Sequence, residues 1–172
     1  MTGAPLYRLL GDCRGAAAAE MALVAPLLLV LMCGCAEVGN FFLNEHSLAK
    51  AVRDGARFAA RQSFSGYPTC SGSPDTTTVV TPTQNVVMYG YLSGSTALTP
   101  HIATSNITVS TQCYTGSVGR QTMSGVYRNR TNGAQVVTVT ASVPYRSVMS
   151  AIGFRGAGLN LYASSQAAVT GL

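Results

Sequence analysis

The sequence predicts an α+β fold: one long N-terminal helix, transmembrane then amphipathic, followed by a small antiparallel β-sheet domain. Three observations predict it. An apolar run from Met21 to Ala36 passes directly into a segment with apolar residues at helical spacing. Beyond Gln62 the composition shifts abruptly to Gly, Ser, Thr and Pro, and the later part of the chain holds alternating stretches rich in β-branched residues. At 172 residues the chain accommodates one compact domain with an appended helix, and is short for two independent cores. Charged residues make up only 10% of it, against about 25% in ordinary soluble proteins, while 47% are hydrophobic. That balance suits a membrane-anchored or assembling protein.

Residues Met1 to Gly15 carry Arg8 and Arg14, four alanines follow, and Glu20 opens the apolar run. At about 1.5 Å per residue, Met21 to Ala36 spans roughly 24 Å, short of a bilayer core of about 30 Å. Adding Ala16 to Ala19 reaches the length but places Glu20 inside the apolar segment. Phe41, Leu48, Val52, Ala56 and Ala59 then recur at helix-compatible spacing with charges between them. One helix is therefore expected from Ala16 to about Arg61, roughly 70 Å long, with an apolar half in lipid and an amphipathic half packed on the rest of the chain. The organisation expected is a leader over 1–15, a transmembrane segment over 16–36, an amphipathic extension over 37–62 and a β-rich domain over 63–172.

Gly66, Pro68, Gly72, Pro74 and Pro82 break the helical pattern. Pro82 is suited to open a shorter helix through Val86, Val87 and Tyr91, although the same valines and tyrosine also fit a strand. Three strands are predicted at Asn106 to Tyr114, Ala134 to Tyr145 and Leu159 to Thr170. A fourth is expected at Ser124 to Asn129, paired with Gln135 onward through a turn at Asn132-Gly133, a dipeptide favoured in tight hairpins. Ser147 to Phe154 reads as a short helical turn or loop, and no internal repeat is visible.

The net charge of +5 raises the question of nucleic acid. The basic residues are scattered: Lys50, Arg53, Arg57 and Arg61 form one group, interrupted by Asp54 and without interleaved stacking aromatics. No nucleic-acid partner is expected. Catalysis needs a nucleophile with a base, a carboxylate pair or a metal cluster, and after Gln62 the chain offers one carboxylate, Asp75, and one histidine, His101. His46 reads as a surface residue of the amphipathic helix. Gly153, Gly156 and Gly158 precede a strand and do not form a phosphate loop. The expectation is a non-enzyme with no cofactor and no metal site.

Of the five cysteines, Cys70 and Cys113 in the β-rich part invite pairing. A bridge closing that loop would contribute about 4 kcal/mol in the chain-entropy model, the alternative being two free thiols. Cys33 and Cys35 diverge on a helix and read as packing residues. Met32-Cys33-Gly34-Cys35 faintly resembles a lipoprotein cleavage site, which would make Cys35 a lipid carrier and leave Glu20 unused. Arg8 and Arg14 before the helix, with only Lys50 close behind it, place the amino end in the cytoplasm under the positive-inside rule.

The densest chemistry lies in Arg14-Gly15-Ala16-Ala17-Ala18-Ala19-Glu20-Met21, a glycine before small residues and a single carboxylate opening a hydrophobic helix. This resembles the processing site of type IV prepilins, and the resemblance implies cleavage by a prepilin peptidase between Gly15 and Ala16, with Glu20 as fifth residue of the mature chain. A carboxylate within the bilayer is costly unless paired, and the family implies the Ala16 amine, of the same chain or a neighbour, as its partner in subunit docking. Pro26, tolerated in membrane helices, matches the helix proline common in pilins. The run on to Leu29, with Ala51-Val52-Arg53-Asp54-Gly55-Ala56-Arg57-Phe58-Ala59-Ala60-Arg61, resembles the TadE-like family of tight-adherence (Tad) pilus systems. Asn85 to Gly90 and Val136 to Tyr145 are similar to it less specifically, and Met21 stands where that family often has phenylalanine.

The resemblance implies a non-catalytic minor pilin or pseudopilin with a pilin-like fold, acting in assembly of a Tad-type (type IVb) pilus for surface adhesion. Other Tad pilins, the inner-membrane assembly platform and membrane lipid would be its partners. It would sit in the bacterial inner membrane as a single-pass protein with a periplasmic C-terminal domain. The competing expectation is a membrane-tethered periplasmic binding module, or lipoprotein-like adhesin domain, that uses loops such as Ser71 to Thr83 and does not enter a filament. A signal-anchored hydrolase is disfavoured by the missing acid and base.

Overall fold

The computed structural model describes residues 14–69, 71–114, 125–128, 133–153 and 158–171. The first helix, α1, runs Arg14–Ala60 without interruption. Alanine and leucine dominate its first half, both strong helix formers, and Pro26 lies inside it. The helix closes in a tightened turn, in which Arg61 N donates to Phe58 O at 3.1 Å and Gln62 N to Ala59 O at 3.0 Å. Two compact units divide the chain, Met1–Asn40 and Phe41–Leu172.

In the second unit, Leu48, Ala51, Val52, Gly55, Ala56, Ala59 and Ala60 of α1 are all buried. Their spacing is that of one helix face at i, i+3, i+4 and i+7. Small residues dominate the second half of this stripe, which lets other elements approach the helix backbone closely. After α1 come a short strand β1 (Ser71–Gly72), a π-type turn (Thr76–Val80) and α2 (Thr81–Tyr89). Three longer strands follow: β2 (Ile107–Tyr114), β3 (Ala134–Pro144) and β4 (Asn160–Ala168). The sheet has the order β1-β2-β3-β4, every neighbour antiparallel. Helix first and antiparallel sheet second is the expected α+β architecture.

Register decides which side chains meet α1. β2 and β3 pair from Ile107↔Ala141 to Tyr114↔Ala134, and β3 and β4 from Val136↔Ala168 to Pro144↔Asn160. With a side-chain period of two, Ile107, Val109, Val137, Val139, Ala141, Val143, Leu161 and Ala163 share the inner face, and all are buried. Thr108, Thr140 and Ser164 stand on the opposite face. Phe41 meets Tyr145 edge-on, with ring centroids 5.1 Å apart. At the other end of the stripe, Thr170 N donates to Ala60 O at 2.8 Å. The second half of α1 therefore runs along the sheet, antiparallel to β3.

The choice between helix and strand after Pro82 resolves to helix. Pro82 sits in the first turn of α2, where its missing N–H costs nothing. Val87 and Thr83 are fully buried in the core, so tertiary packing outweighs the strand preference of β-branched residues. Gly90 ends α2 in the left-handed conformation at φ 77°, its N–H donating to Val86 O at 2.8 Å. That conformation favours glycine, and the helix ends at Tyr89, two residues short of the expected Tyr91.

The fourth strand is not where the pattern put it. Gly125–Tyr127, inside the expected Ser124 to Asn129, forms a short 3-10 turn, and Asn132 of the anticipated hairpin lies outside the described residues. Gly125 at φ 67° is incompatible with a strand. Tyr127 donates its hydroxyl to Val169 O at 2.7 Å and sets its ring against Phe64. One anchoring aromatic holds this segment, so no period of two develops. The fourth strand of the sheet is β1, within the Gly/Ser/Pro-rich stretch that carried no strand signal. Val148–Ile152 is a short 3-10 helix, in keeping with the turn expected there.

The connection between α1 and α2 is held by polar contacts. The Tyr67 hydroxyl donates to Ala59 O, and burial pushes its pKa well above the ordinary phenol value. Gln135 Nε2 donates to Tyr67 O at 3.0 Å. Asp75 caps the turn that leads into α2: one carboxylate oxygen accepts from Thr78 N at 2.8 Å, Thr77 N at 3.1 Å and the hydroxyls of Thr78 and Thr77 at 2.7 and 2.8 Å. These bonds, the Thr78 hydroxyl foremost, lower its pKa to about 2. A carboxyl whose pKa is lower folded than unfolded stabilises the fold above its unfolded pKa, and that contribution is lost as pH falls toward the folded value. Asp75→Asn is therefore expected to lower the melting temperature near neutrality and to flatten its fall between about pH 4 and pH 2. Melting curves of both proteins across that range check it; parallel acid limbs would remove Asp75 from the account.

Candidate functional site on the N-terminal helix

The residues that carried the processing motif lie together at the start of α1. Gly15, Ala16 and Glu20 are all exposed, and nothing approaches within 4 Å of the position a Cβ on Gly15 would take. Ala16 and Glu20 are one turn apart on the same helix face. Helical side chains lean toward the N-terminus, so the Glu20 carboxylate reaches back toward Ala16. Pro26 leaves the Ala22 carbonyl without its intrahelical N–H, a defect of a single bond within a continuous helix.

From Glu20 onward this part of α1 is apolar all round. Leu23 is 80% exposed and Leu27, Leu28, Leu29, Val30 and Leu31 each more than half. An 18-residue window of mean hydropathy 2.2 lies within the helix, none of it buried. By length and composition the helix suffices to cross a membrane. Leaving a leucine or valine in water costs roughly 1.5–3 kcal/mol relative to burial, so such a surface demands an apolar environment.

Cys33 and Cys35 are free thiols on this helix. Cys113, on β2, is disulfide-bonded. Cys70, expected as its partner, lies outside the described residues. In the second unit, His46, Lys50, Arg53 and Arg57 line a shallow groove on the exposed side of α1, where Arg57 pairs with Asp54 at 3.8 Å. His101 is exposed, 3.5 Å from Arg146. Among the described residues no group of three or more His, Cys, Asp or Glu is placed to hold a metal. One residue carries more than sequence reasoning assigned it: Gly55, at the centre of the second motif, lies against Val87 and Thr83 of α2. Glycine within an amphipathic helical pattern was the available signal.

These features define an α+β protein whose N-terminal helix is long and apolar enough to cross a membrane and whose antiparallel sheet packs on the helix's second half. Residues 15–57 match the family model described as TadE-like protein. The match takes in the first helical motif from Gly15 onward and the second as far as Arg57, while α2 and the sheet lie outside it. Comparison with curated proteins gives no match, and comparison with solved structures gives none.

Proposed function

We propose that this protein is a TadE-like minor pilin: a non-catalytic subunit that acts in assembly of a Tad-type pilus. The observation that carries the reading is the family match over residues 15–57, laid on a helix whose apolar surface is exposed on every side. In this account a prepilin peptidase cuts after Gly15. The mature chain begins at Ala16, and α1 rests in the inner membrane with the β domain on the periplasmic side. Other Tad pilins and the assembly platform then receive the helix. Glu20 sets its register, and Pro26 frees a backbone carbonyl within the packed helices.

Cys70 is proposed as the disulfide partner of Cys113. The β1–β2 register pairs Ser71 with Gln112, and in the sequence Cys70 directly precedes Ser71 and Cys113 directly follows Gln112. Such a bridge would fasten the two-residue strand β1 to β2, and it requires the oxidising compartment that a periplasmic domain occupies.

Intact mass of the membrane-extracted protein tests the reading. The expected mass is that of a chain starting at Ala16, and cells lacking the peptidase should yield a chain still carrying residues 1–15. A product that keeps its leader in both strains, or that begins at a lipidated Cys35, would overturn the assignment.

A further inference from the structure

The second unit begins at Phe41, and the exposed residues of α1 within it change character over about one turn. Phe42 and Leu43 are 64% and 74% exposed. From there on the exposed positions of the helix are His46, Lys50, Arg53, Asp54 and Arg57. Consecutive helical residues point about 100° apart, so Phe41, Phe42 and Leu43 set apolar side chains on three sides of the helix at one height. A protein partner covers one face of a helix, whereas lipid surrounds it. The change between Leu43 and His46 therefore reads as the level at which lipid gives way to water.

That level also passes through the sheet domain. Tyr145 meets Phe41 edge-on, with ring centroids 5.1 Å apart. Because β3 runs antiparallel to this half of α1, the connection that leaves β3 after Pro144 and enters β4 at Asn160 projects past Phe41, toward the side from which α1 arrives. In its described part Val148 and Leu159 are 59% and 56% exposed, and Arg146 is exposed too. From Tyr145 to Leu159 the sequence holds no Asp or Glu. Aromatic rings at the boundary, exposed apolar residues beyond it and an arginine with no carboxylate nearby in sequence are the chemistry of a membrane interface with anionic headgroups. The length of helix agrees: with the membrane segment ending at Ala36, five further residues advance to Phe41 by about 7 Å, the thickness of the headgroup layer on one side of a core of about 30 Å.

We propose that the β3–β4 connection lies in the headgroup layer that surrounds Phe42 and Leu43, with Val148 and Leu159 turned into lipid and Arg146 at the lipid phosphates. The inference rests on the reading of α1 as a membrane-spanning helix, to which it adds a second membrane contact. A second copy of the chain seated on this connection would bury Val148 and Leu159 equally well, but would leave Phe42 and Leu43, on other sides of the helix, in water. Lipid covers all four at once.

The sequence contains no tryptophan, so single tryptophans report one position each. Full-length protein is reconstituted in vesicles of phosphatidylcholine and phosphatidylglycerol, with or without bromine on the acyl chains, and quenching by the brominated chains is read. Leu28→Trp, in the membrane segment, shows whether α1 is in the bilayer. Val148→Trp and Leu159→Trp should be quenched as well. Val126→Trp should not: Val126 is equally exposed, at 58%, but adjoins Tyr127, which is tied to Val169 O at the Ala60 end of the domain. Tryptophan itself favours the interface, so Val148→Asp is added to Leu159→Trp. It should cut the quenching about twofold, since a carboxylate is costly among acyl chains, and leave the melting temperature in detergent unchanged. Quenching of Leu28→Trp with none at Val148→Trp and Leu159→Trp overturns the proposal and leaves the spanning helix in place. Blue-shifted but unquenched emission from Val148→Trp also overturns it, because protein and not lipid then covers the connection. So does quenching of Leu159→Trp that Val148→Asp leaves undiminished. No quenching at Leu28→Trp would remove the spanning helix itself, and the proposal with it.

Discussion

Gly55→Ala is expected to destabilise the domain by about 1–3 kcal/mol, the usual cost of forcing extra atoms into a packed core, and Gly55→Leu by more. The sign is the informative part. In the interior of a helix, replacing glycine by alanine ordinarily gains up to about 1 kcal/mol, because glycine surrenders more backbone freedom on folding. Here an added Cβ would overlap Val87 Cγ2, with Thr83 Cγ2 3.6 Å and Thr83 O 3.7 Å away. Val87 is fully buried and β-branched, so it has no alternative rotamer to move into. The strain must be met by separating α2 from α1, which opens the core between them. Gly39→Ala supplies the control, since nothing lies within 4 Å of its Cβ position; it should leave stability unchanged or raise it. Adding Val87→Ala to Gly55→Ala should recover part of the loss, giving a double-mutant cycle with non-additive coupling. Thermal and denaturant unfolding in detergent read the four proteins of the cycle, Val87→Ala alone among them, together with the Gly39→Ala control. A Gly55→Ala protein as stable as the parent would show that α1 and α2 are less closely seated than their geometry states.

The close approach at Gly55 also shows why part of the fold was legible in the sequence and part was not. The α1 stripe of Leu48, Val52, Ala56 and Ala59 and the alternation of β2, β3 and β4 are one-dimensional patterns: each repeats the period of its own element, so they can be read without knowing what they pack against. Thr81–Tyr89 stayed ambiguous because its β-branched residues favour a strand locally, and only burial of Thr83 and Val87 against α1 decides for helix. β1 was invisible because two residues carry no period, and its pairing with β2 is fixed by its partner. The strand expected around Gly125–Tyr127 failed for the converse reason, since a tyrosine tied to Val169 O imitates the inward position of an alternating segment. The motif proposed for processing could be picked out in the sequence because it is local: Gly15, Ala16 and Glu20 fall within two helical turns, whatever the rest of the chain does. Gly55 belongs to neither kind. Its motif was visible, while the reason for the glycine lies on a different helix.

Glu20→Gln is expected to leave cleavage after Gly15 intact and to reduce the protein recovered with sheared filaments by at least tenfold. On the proposed reading the peptidase step would act on the peptide bond between Gly15 and Ala16, which the substitution does not touch. Glutamine keeps the size and the hydrogen-bonding reach of the side chain and removes only its charge. That charge matters because the Ala16 amine, once released, lies one turn before a carboxylate that leans toward it, on a helix end whose dipole also favours a negative group. Opposite charges about 4 Å apart attract by roughly 4 kcal/mol at an effective dielectric near 20 and by only about 1 kcal/mol in water. The pairing therefore strengthens as the helix enters a less polar surrounding, and a neighbouring subunit's amine can serve in place of the chain's own. Glu20→Asp, which keeps the charge on a shorter stem, should restore part of the incorporation. Separate quantification of the mature chain in membranes and in the sheared fraction distinguishes docking from processing. Filament incorporation unchanged in Glu20→Gln would mean that the carboxylate sits in water at the membrane surface and takes no part in assembly.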